Sequence, residues 1–430
     1  MRPFSMSETK ASRAPSGRRR WRAHRLRPQP LLFGNCVSYV NKKIRIFAIL
    51  CLFITLICLI MILSIPVLSD IENLYNNYRN ARKQDTESVS FARTFIYVIK
   101  NLAEYGGLET RLIAYADALS QRGCRVVFVT ERNRNRVIRE RHSCIHLNFH
   151  ACNFQRSLVK IIRMYGADVV DFQIKNRRSV HRLDIESLKK YCRTGCVIHG
   201  EVYNINPEIL RLMDYRVIVS DLLCSIDYAN IGSYRVIPNA IHAGSPVWSY
   251  RGQRRALIVS RLKDDKYRQV CAAIDYCLSH GVPFDIAGSP VDGRMVSRLR
   301  RCYSLSSDIF ALGAIPTREF LYCNSDRYLF VAGVGQVLLE AGAAVYPCML
   351  ASDLGAGFST FLTKYNIRNN FGRNLTLAYF NEKLHNVRVE SINVDCIDDY
   401  NISGAICEFF SFDDRFVEYY GYVYPDEIEA

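Results

Sequence analysis

The sequence predicts an α/β protein. Two Rossmann-like domains face each other across a cleft, preceded by one N-terminal transmembrane helix. Three observations carry this expectation. A strand over Phe95 to Ile99 runs through Gly106-Gly107 into an amphipathic helix and then into the apolar stretch CRVVFVTE, a βαβ unit with a right-handed crossover. The same alternation restarts after residue 254 with ALIVSRL. Residues 46–68, IFAILCLFITLICLIMILSIPVL, are uncharged and long enough to cross a bilayer.

The chain has 430 residues, 49% hydrophobic and 23% charged, as expected for globular domains with cores of their own. Its net charge of +16 is unevenly placed: residues 1–45 hold 12 Lys and Arg against the single acid Glu8. The remainder carries only +5, so a nucleic-acid groove is not expected. Thirteen of the 16 cysteines follow residue 70, scattered and without a Cys-x-x-Cys, Cys192 and Cys196 being the closest pair. That spacing excludes common zinc sites and reads as buried thiols rather than a disulfide framework.

In order, residues 1–43 form a basic, Arg/Ser/Pro-rich arm expected to be disordered. The span at 46–68 lacks a signal-peptide cleavage pattern. A polar stalk covers 70–90. The first Rossmann-like domain spans 91–245. Leu108, Leu112, Ala116 and Leu119 recur at helical spacing and Gly123 stops their helix. Further strands are expected at Ile145–Phe149, Asp168–Phe172, Cys196–His199 and Arg216–Ser220, with helical segments near 155–165 and 180–192. A polar, turn-rich boundary lies between Ile241 and Arg254.

The second domain, 250–395, opens with a strand over Ala256–Val259. A helix over 266–279, the strand FDIAG, a helix near 291–302 and the strand segments IFALG and YLFVA follow. From Tyr328 a buried strand to Ala332 feeds Gly333-Val-Gly335 and a helix from Gln336 to Ala344, with Pro347 just beyond. A strand, a glycine turn and a helix N-terminus bring free N–H groups and a positive dipole end to one point, which suits a diphosphate. Glu340, one turn into the helix, suits the two hydroxyls of a ribose. The tail, 396–430, is acidic and aromatic; it reads as a capping segment, with a helix packed back on the first domain as the alternative.

Four segments together resemble the family-4 (group 1) glycosyltransferases of the GT-B fold, over roughly residues 95–365. They are YGGLETRLIAYADALSQRGCRVVFVT, RVIPNAIH, LIVSRLKDDK and the 328–347 stretch, where Glu340 matches the second Glu of a paired-Glu motif. The resemblance implies that Arg261 and Lys266 bind the donor diphosphate and that Gly107 lies beside donor and acceptor. It also implies that His199 sits near the transferred sugar, that Glu340 binds the ribose and that Asn239 edges the cleft. The first Glu of the pair would fall at position 332, which is Ala332 here; Asp353 and Gln336 are the candidates to substitute for it.

The residues support the same chemistry. Sugar transfer from a nucleoside diphosphate develops negative charge on the leaving group. The sequence contains no Asp-x-Asp turn to hold a metal, so fixed cations and a helix N-terminus are expected instead: Arg261 and Lys266 with Gly333, Gly335 and Gln336. His199 stands at the carboxyl end of a strand, where open α/β sheets bind ligands. The expected protein is a membrane-anchored, retaining, metal-independent glycosyltransferase of surface polysaccharide, lipopolysaccharide or glycolipid biosynthesis. It would use a nucleotide-sugar as substrate, a glycan or lipid-linked acceptor, and no cofactor or nucleic acid. A silent nucleotide-sugar-binding scaffold is the alternative, motivated by Ala332. Charge bias between the two flanks of 46–68, with Lys42, Lys43, Arg45 and the upstream arginines outweighing Arg79, Arg82 and Lys83, favours a lumenal, type II orientation. The unpaired cysteines favour the cytosolic face of a bacterial inner membrane, which is the expectation adopted.

Overall fold

The computed structural model describes residues 91–427 apart from 175–179, 181–182, 200–205, 221–230, 243–246, 250, 252–253, 289–292, 352–358, 369–374 and 376–397. The basic arm, the apolar span at 46–68 and the stalk lie outside the described residues. Among the described residues no helix is long and apolar enough to cross a membrane.

The first half alternates strand and helix: β1 (Arg93–Leu102), α1 (Gly107–Gln121), β2 (Cys124–Asn133), α2 (Arg136–Arg141), β3 (Ser143–His146), α3 (Phe154–Tyr165), β4 (Val169–Ile174), α4 (Ile185–Lys189), β5 (Arg193–Ile198), α5 (Pro207–Arg211), β6 (Tyr215–Ile218) and β7 (Arg235–Val236). All seven strands are parallel, in the order β3-β2-β1-β4-β5-β6-β7. Residues 95–99 of β1 are buried on both faces, which is why its sequence reads as a continuous apolar run rather than an alternation. Leu108, Leu112, Ala116 and Leu119 form the buried stripe of α1. Gly123, at φ +77°, turns the chain out of that helix, a conformation cheap only for glycine.

The second half comprises β8 (Ala256–Val259), α6 (Tyr267–Ser279), β9 (Phe284–Ala287), α7 (Arg294–Tyr303), α8 (Thr317–Cys323), β10 (Phe330–Gly333), α9 (Gln336–Ala343), β11 (Cys348–Ala351) and β12 (Ser359–Leu362). Its strands run β12-β11-β10-β8-β9, with β12 antiparallel to β11. Leu257 and Val259 of β8 face one core, Ala256 and Ile258 the other, the period-2 split of a sheet covered on both sides.

Three expectations need correction. IFALG is not a strand: Ser307–Phe310 is a 3₁₀ helix, because its half-buried apolar residues cap the edge of a core instead of entering the sheet. The third strand ends at His146 rather than Phe149. The helix expected over 180–192 is reduced to α4, whose N-cap Asp184 accepts from the Ser187 N–H at 3.0 Å.

The tail forms α10 (Ser403–Phe410) and α11 (Phe412–Val423). Ile406 and Phe410 enter a core of the second sheet. Phe412, Phe416, Tyr419 and Val423 enter the core of the first. Burying such side chains contributes about 1.5–3 kcal/mol each, as an upper estimate, so α11 is an integral layer of the first half. The chain therefore crosses between the sheets twice, and the crossings are bonded together: Ile241 N–H donates to Phe410 O at 2.8 Å and Phe412 N–H to Ile241 O at 2.9 Å.

Candidate active site

Strand order reverses direction between β1 and β4 in the first sheet and between β8 and β10 in the second. Ligands in open α/β sheets bind at such switch points, beyond the carboxyl ends of the strands. The loop after β1 is Ala103–Gly106 and it leads into α1. Side chains hold that loop. Glu109 Oε1 accepts from Ala103 N–H at 3.0 Å, and Asn135 Nδ2 donates to Glu104 O at 2.9 Å. The glutamate of the Gly-Gly-x-Glu stretch is thus a 3% exposed brace for the glycine turn, which leaves the backbone of Gly107 facing the crevice.

Gly107 meets the second half directly. A Cβ built on it would lie 3.0 Å from Gln336 Cβ and 3.8 Å from Asn239 Nδ2. The N-termini of α1 and α9 therefore abut, each opened by a glycine and neither capped by a side chain. Each N-terminus carries N–H groups without intrahelical acceptors and the positive end of a dipole. Gly335 N–H is used structurally, donating to Leu375 O at 2.6 Å, so the N–H groups of Gln336 and Val337 are the ones aimed outward by helix geometry. Gly335 itself sits at φ 60°, ψ −129°, open essentially to glycine alone. A Cβ on Gly333 would lie 2.8 Å from Val337 Cγ1 and 3.1 Å from Val259 O.

Asn239 is held from behind. Arg111 of α1, 3% exposed, donates from Nη1 to Ile237 O and Pro238 O, both at 3.0 Å. That clamp fixes the backbone just before Asn239 and lies over the Tyr115 ring at 4.6 Å. Arg111 was not singled out by sequence reasoning; its one signal was an arginine inside the otherwise apolar-faced helix α1.

On the second sheet, Ile258 pairs with Ala332, so the loops after β8 and β10 leave the sheet side by side. An open pocket lies there, lined by Val259, Ser260, Gln269, Ala332, Gly333 and Val334 among others. Arg261 leaves β8 beside it with an exposed side chain. Lys266 stands at the N-cap of α6, one turn before Gln269. The amide oxygens of Asn239, Gln269 and Gln336 are buried without a partner; such orphans are uncommon and these three cluster around the crevice and pocket. Ala332 is fully buried in β10, so no carboxylate occupies its position. Asp353 lies outside the described residues.

Glu340, 7% exposed, accepts from Gln336 Nε2 at 3.3 Å. Burial is the main cause that pushes its carboxyl up to about 7; Glu319 adds to the rise, while Gln336, Arg318 and Thr317 oppose it. His199 is held within the first sheet: its Nε2 lies 2.6 Å from Gln173 Oε1. The structure thus brings Gly107, Asn239, Gln336 and Glu340 into one continuous contact, sets Gly333 and Gly335 at the end of β10 and Arg261 and Lys266 on the segment between β8 and α6, and leaves His199 just past the end of β5 against Gln173. Among the described residues no group of three or more His, Cys, Asp or Glu is placed to hold a metal.

No known protein family matches the chain by sequence, and neither does any curated protein. Solved structures do match by shape. A glycosyltransferase from Rickettsia africae superposes with a TM-score of 0.53 at 13% identity, over 77% of this chain and 98% of its own. The pneumococcal O-GlcNAc transferase GtfA, solved with UDP and GlcNAc, gives 0.51 at 11% identity, over 77% and 99%. TarM gives 0.50 at 10%, over 78% and 99%. At these identities the likeness shows the fold: the chain has the two-sheet GT-B architecture of these glycosyltransferases.

Proposed function

We propose that the protein is a glycosyltransferase of the family-4 type that moves a sugar from a nucleotide-sugar to a glycan or lipid-linked acceptor. The observation that carries this reading is the meeting of two uncapped, glycine-opened helix N-termini, α1 and α9, at the mouths of two sheet switch points. Two dipole ends beside Arg261 and Lys266 form a cradle for a diphosphate in which charge developing on the leaving group is stabilised without reorganisation. Glu340 would hold the ribose, and the unpartnered amide oxygens of Asn239, Gln269 and Gln336 are suited to accept from sugar hydroxyls. In this scheme the departing phosphate takes the acceptor's proton, so the reaction proceeds with retention and no enzymic carboxylate is required. The apolar span at 46–68 would tether the protein beside a lipid-linked acceptor, on the cytosolic face of a bacterial inner membrane. GtfA, with UDP and GlcNAc bound, supports a UDP-sugar as the first donor to test.

Thermal shift against a set of nucleoside diphosphates and nucleotide-sugars, followed by transfer assays with and without EDTA, tests the reading. It fails if no nucleoside diphosphate raises the melting temperature. A second reading, a nucleotide-sugar-binding scaffold without transferase activity, is favoured by the buried Ala332. Donor binding without donor hydrolysis or transfer would select it.

A further inference from the structure

The first sheet contains a buried polar chain that the proposed chemistry does not yet use. Tyr97, Asp171, Gly195 and Tyr215 are consecutive cross-strand partners on β1, β4, β5 and β6. Asp171 has no exposed surface. A Cβ on Gly195 would lie 2.1 Å from the Tyr215 ring, so glycine there lets that ring lean across β5. Its hydroxyl then donates to Asp171 Oδ2 at 2.9 Å. Tyr419, from the C-terminal helix α11, donates to the same oxygen. The other oxygen, Oδ1, accepts from Gln173 Nε2, and Gln173 Oε1 lies against His199 Nε2. Gln173 and His199 lie along the face that carries Asp171, two-residue steps toward the carboxyl end of the sheet.

Each link fixes the next. Ionised Asp171 is acceptor-only, so Gln173 must point its NH₂ at it and its carbonyl away. That carbonyl can only accept, so the His199 nitrogen facing it must carry a proton. We propose that Asp171 and Tyr419 are positioning residues for His199: acting through Gln173, they hold the imidazole as the Nε2–H tautomer in a fixed plane, and the C-terminal helix thereby completes the candidate active site. Burial pushes the Asp171 carboxyl up, against the hydrogen bonds of Tyr419, Tyr215 and Gln173 and the nearby Arg111 charge; the three donors converging on its two oxygens are the arrangement an acceptor-only carboxylate requires. Only the kinetic consequence rests on the sugar-transfer reading; the tautomer does not.

The test is nitrogen NMR of the full-length protein labelled with [15N]histidine, at pH 7.5, with His199→Gln to assign the resonance. The variants are Gln173→Met, Tyr419→Phe and Asp171→Asn. The wild-type His199 pair of shifts should be that of a neutral Nε2–H imidazole. Gln173→Met should convert it to a tautomer mixture, and Tyr419→Phe should move it in the same direction by less. Where transfer is measurable, Gln173→Met should lower kcat about tenfold with the donor KM changed less than twofold. A wild-type His199 that is Nδ1–H or already mixed overturns the proposal. So does a Gln173→Met spectrum unchanged at His199. If Asp171→Asn does not fold, the Tyr419→Phe and Gln173→Met spectra decide. A fixed tautomer without transfer from any nucleotide-sugar would refute the proposed function and leave the relay standing.

Discussion

Glu340→Gln separates the cost of the candidate site from its use. In the folded protein burial raises the Glu340 carboxyl from 4.5 to about 7. A carboxyl with a raised folded pKa binds more protons folded than unfolded between those two values. Its destabilising contribution is therefore absent below about pH 4.5, grows as pH rises, and is complete above about pH 7. The gap corresponds to about 3 kcal/mol as a ceiling. The amide introduced by Glu340→Gln would keep an oxygen to accept from Gln336 but carry no charge. The variant should match wild type at pH 4.5 and exceed its stability at pH 8 by about 1–3 kcal/mol, which for a body of this size is a rise of roughly 1–4 °C in melting temperature. Differential scanning fluorimetry at the two pH values reads this directly. The same substitution should weaken nucleoside diphosphate binding at least tenfold, because a neutral amide replaces a charge-assisted acceptor for two hydroxyls. Equal stability at pH 8 would refute the burial cost. Unchanged binding alongside a stability gain would refute the ribose role.

Three further outcomes are expected. Arg261→Ala should leave the melting temperature within about 1 °C, as its side chain is exposed, yet reduce diphosphate affinity about 10- to 100-fold at low salt, measured by calorimetry. Gly335→Ala places a Cβ at φ 60°, ψ −129°, should cost about 1–3 kcal/mol in chemical denaturation, and should lose nucleotide binding because the α9 N-terminus moves. Gly195→Ala drives a methyl group into the Tyr215 ring, 2.1 Å away, and should cost at least about 1–3 kcal/mol; in urea unfolding the loss from Gly195→Ala should exceed that from Gly281→Ala, whose added Cβ meets nothing within 4 Å although Gly281 sits at positive φ.

The elements that were legible in the sequence are those whose local signal and tertiary environment agree. β8 and β9 are fully buried parallel strands, and β1 and β2 are buried through their middles, so their largely apolar runs are self-announcing. The helix expected over Gln336–Ala344 and the one observed differ by a single residue, because a glycine turn and Pro347 bracket it. Some of the elements missed are specified by partners far away in sequence. β7 is two residues long, and β12 is an antiparallel edge whose strand character comes from pairing with β11. IFALG has a strand's composition, but its Ile309 and Phe310 lie half-buried against a core in a 3₁₀ turn beside the edge strand β9.

The candidate site divides along the same line. Gly107, Gly333, Gly335 and Glu340 were visible because glycine turns opening helices have a local grammar. Arg111, Asp171 and Tyr419 were not. Each acts on a residue 126, 2 or 248 positions away, reaching Ile237, Gln173 and Asp171 respectively, and for the two long reaches nothing near either end records the pairing. Asp171 and Gln173 stand close in sequence, but in DFQIK they read as polar interruptions at the end of a strand, not as links of a chain. The tail makes the point most sharply. FFSFDDRFVEYYGYVY reads as a capping segment, but its aromatics enter the core of the first sheet as the helix α11, the alternative reading of the tail. One of its tyrosines, however, carries the hydroxyl that meets a fully buried carboxylate. A buried charge lacking that bond would be costly, so Tyr419 is fixed by Asp171 as much as by the hydrophobic layer around it, and a tail made of phenylalanine alone would pack there and leave the carboxylate short of a donor.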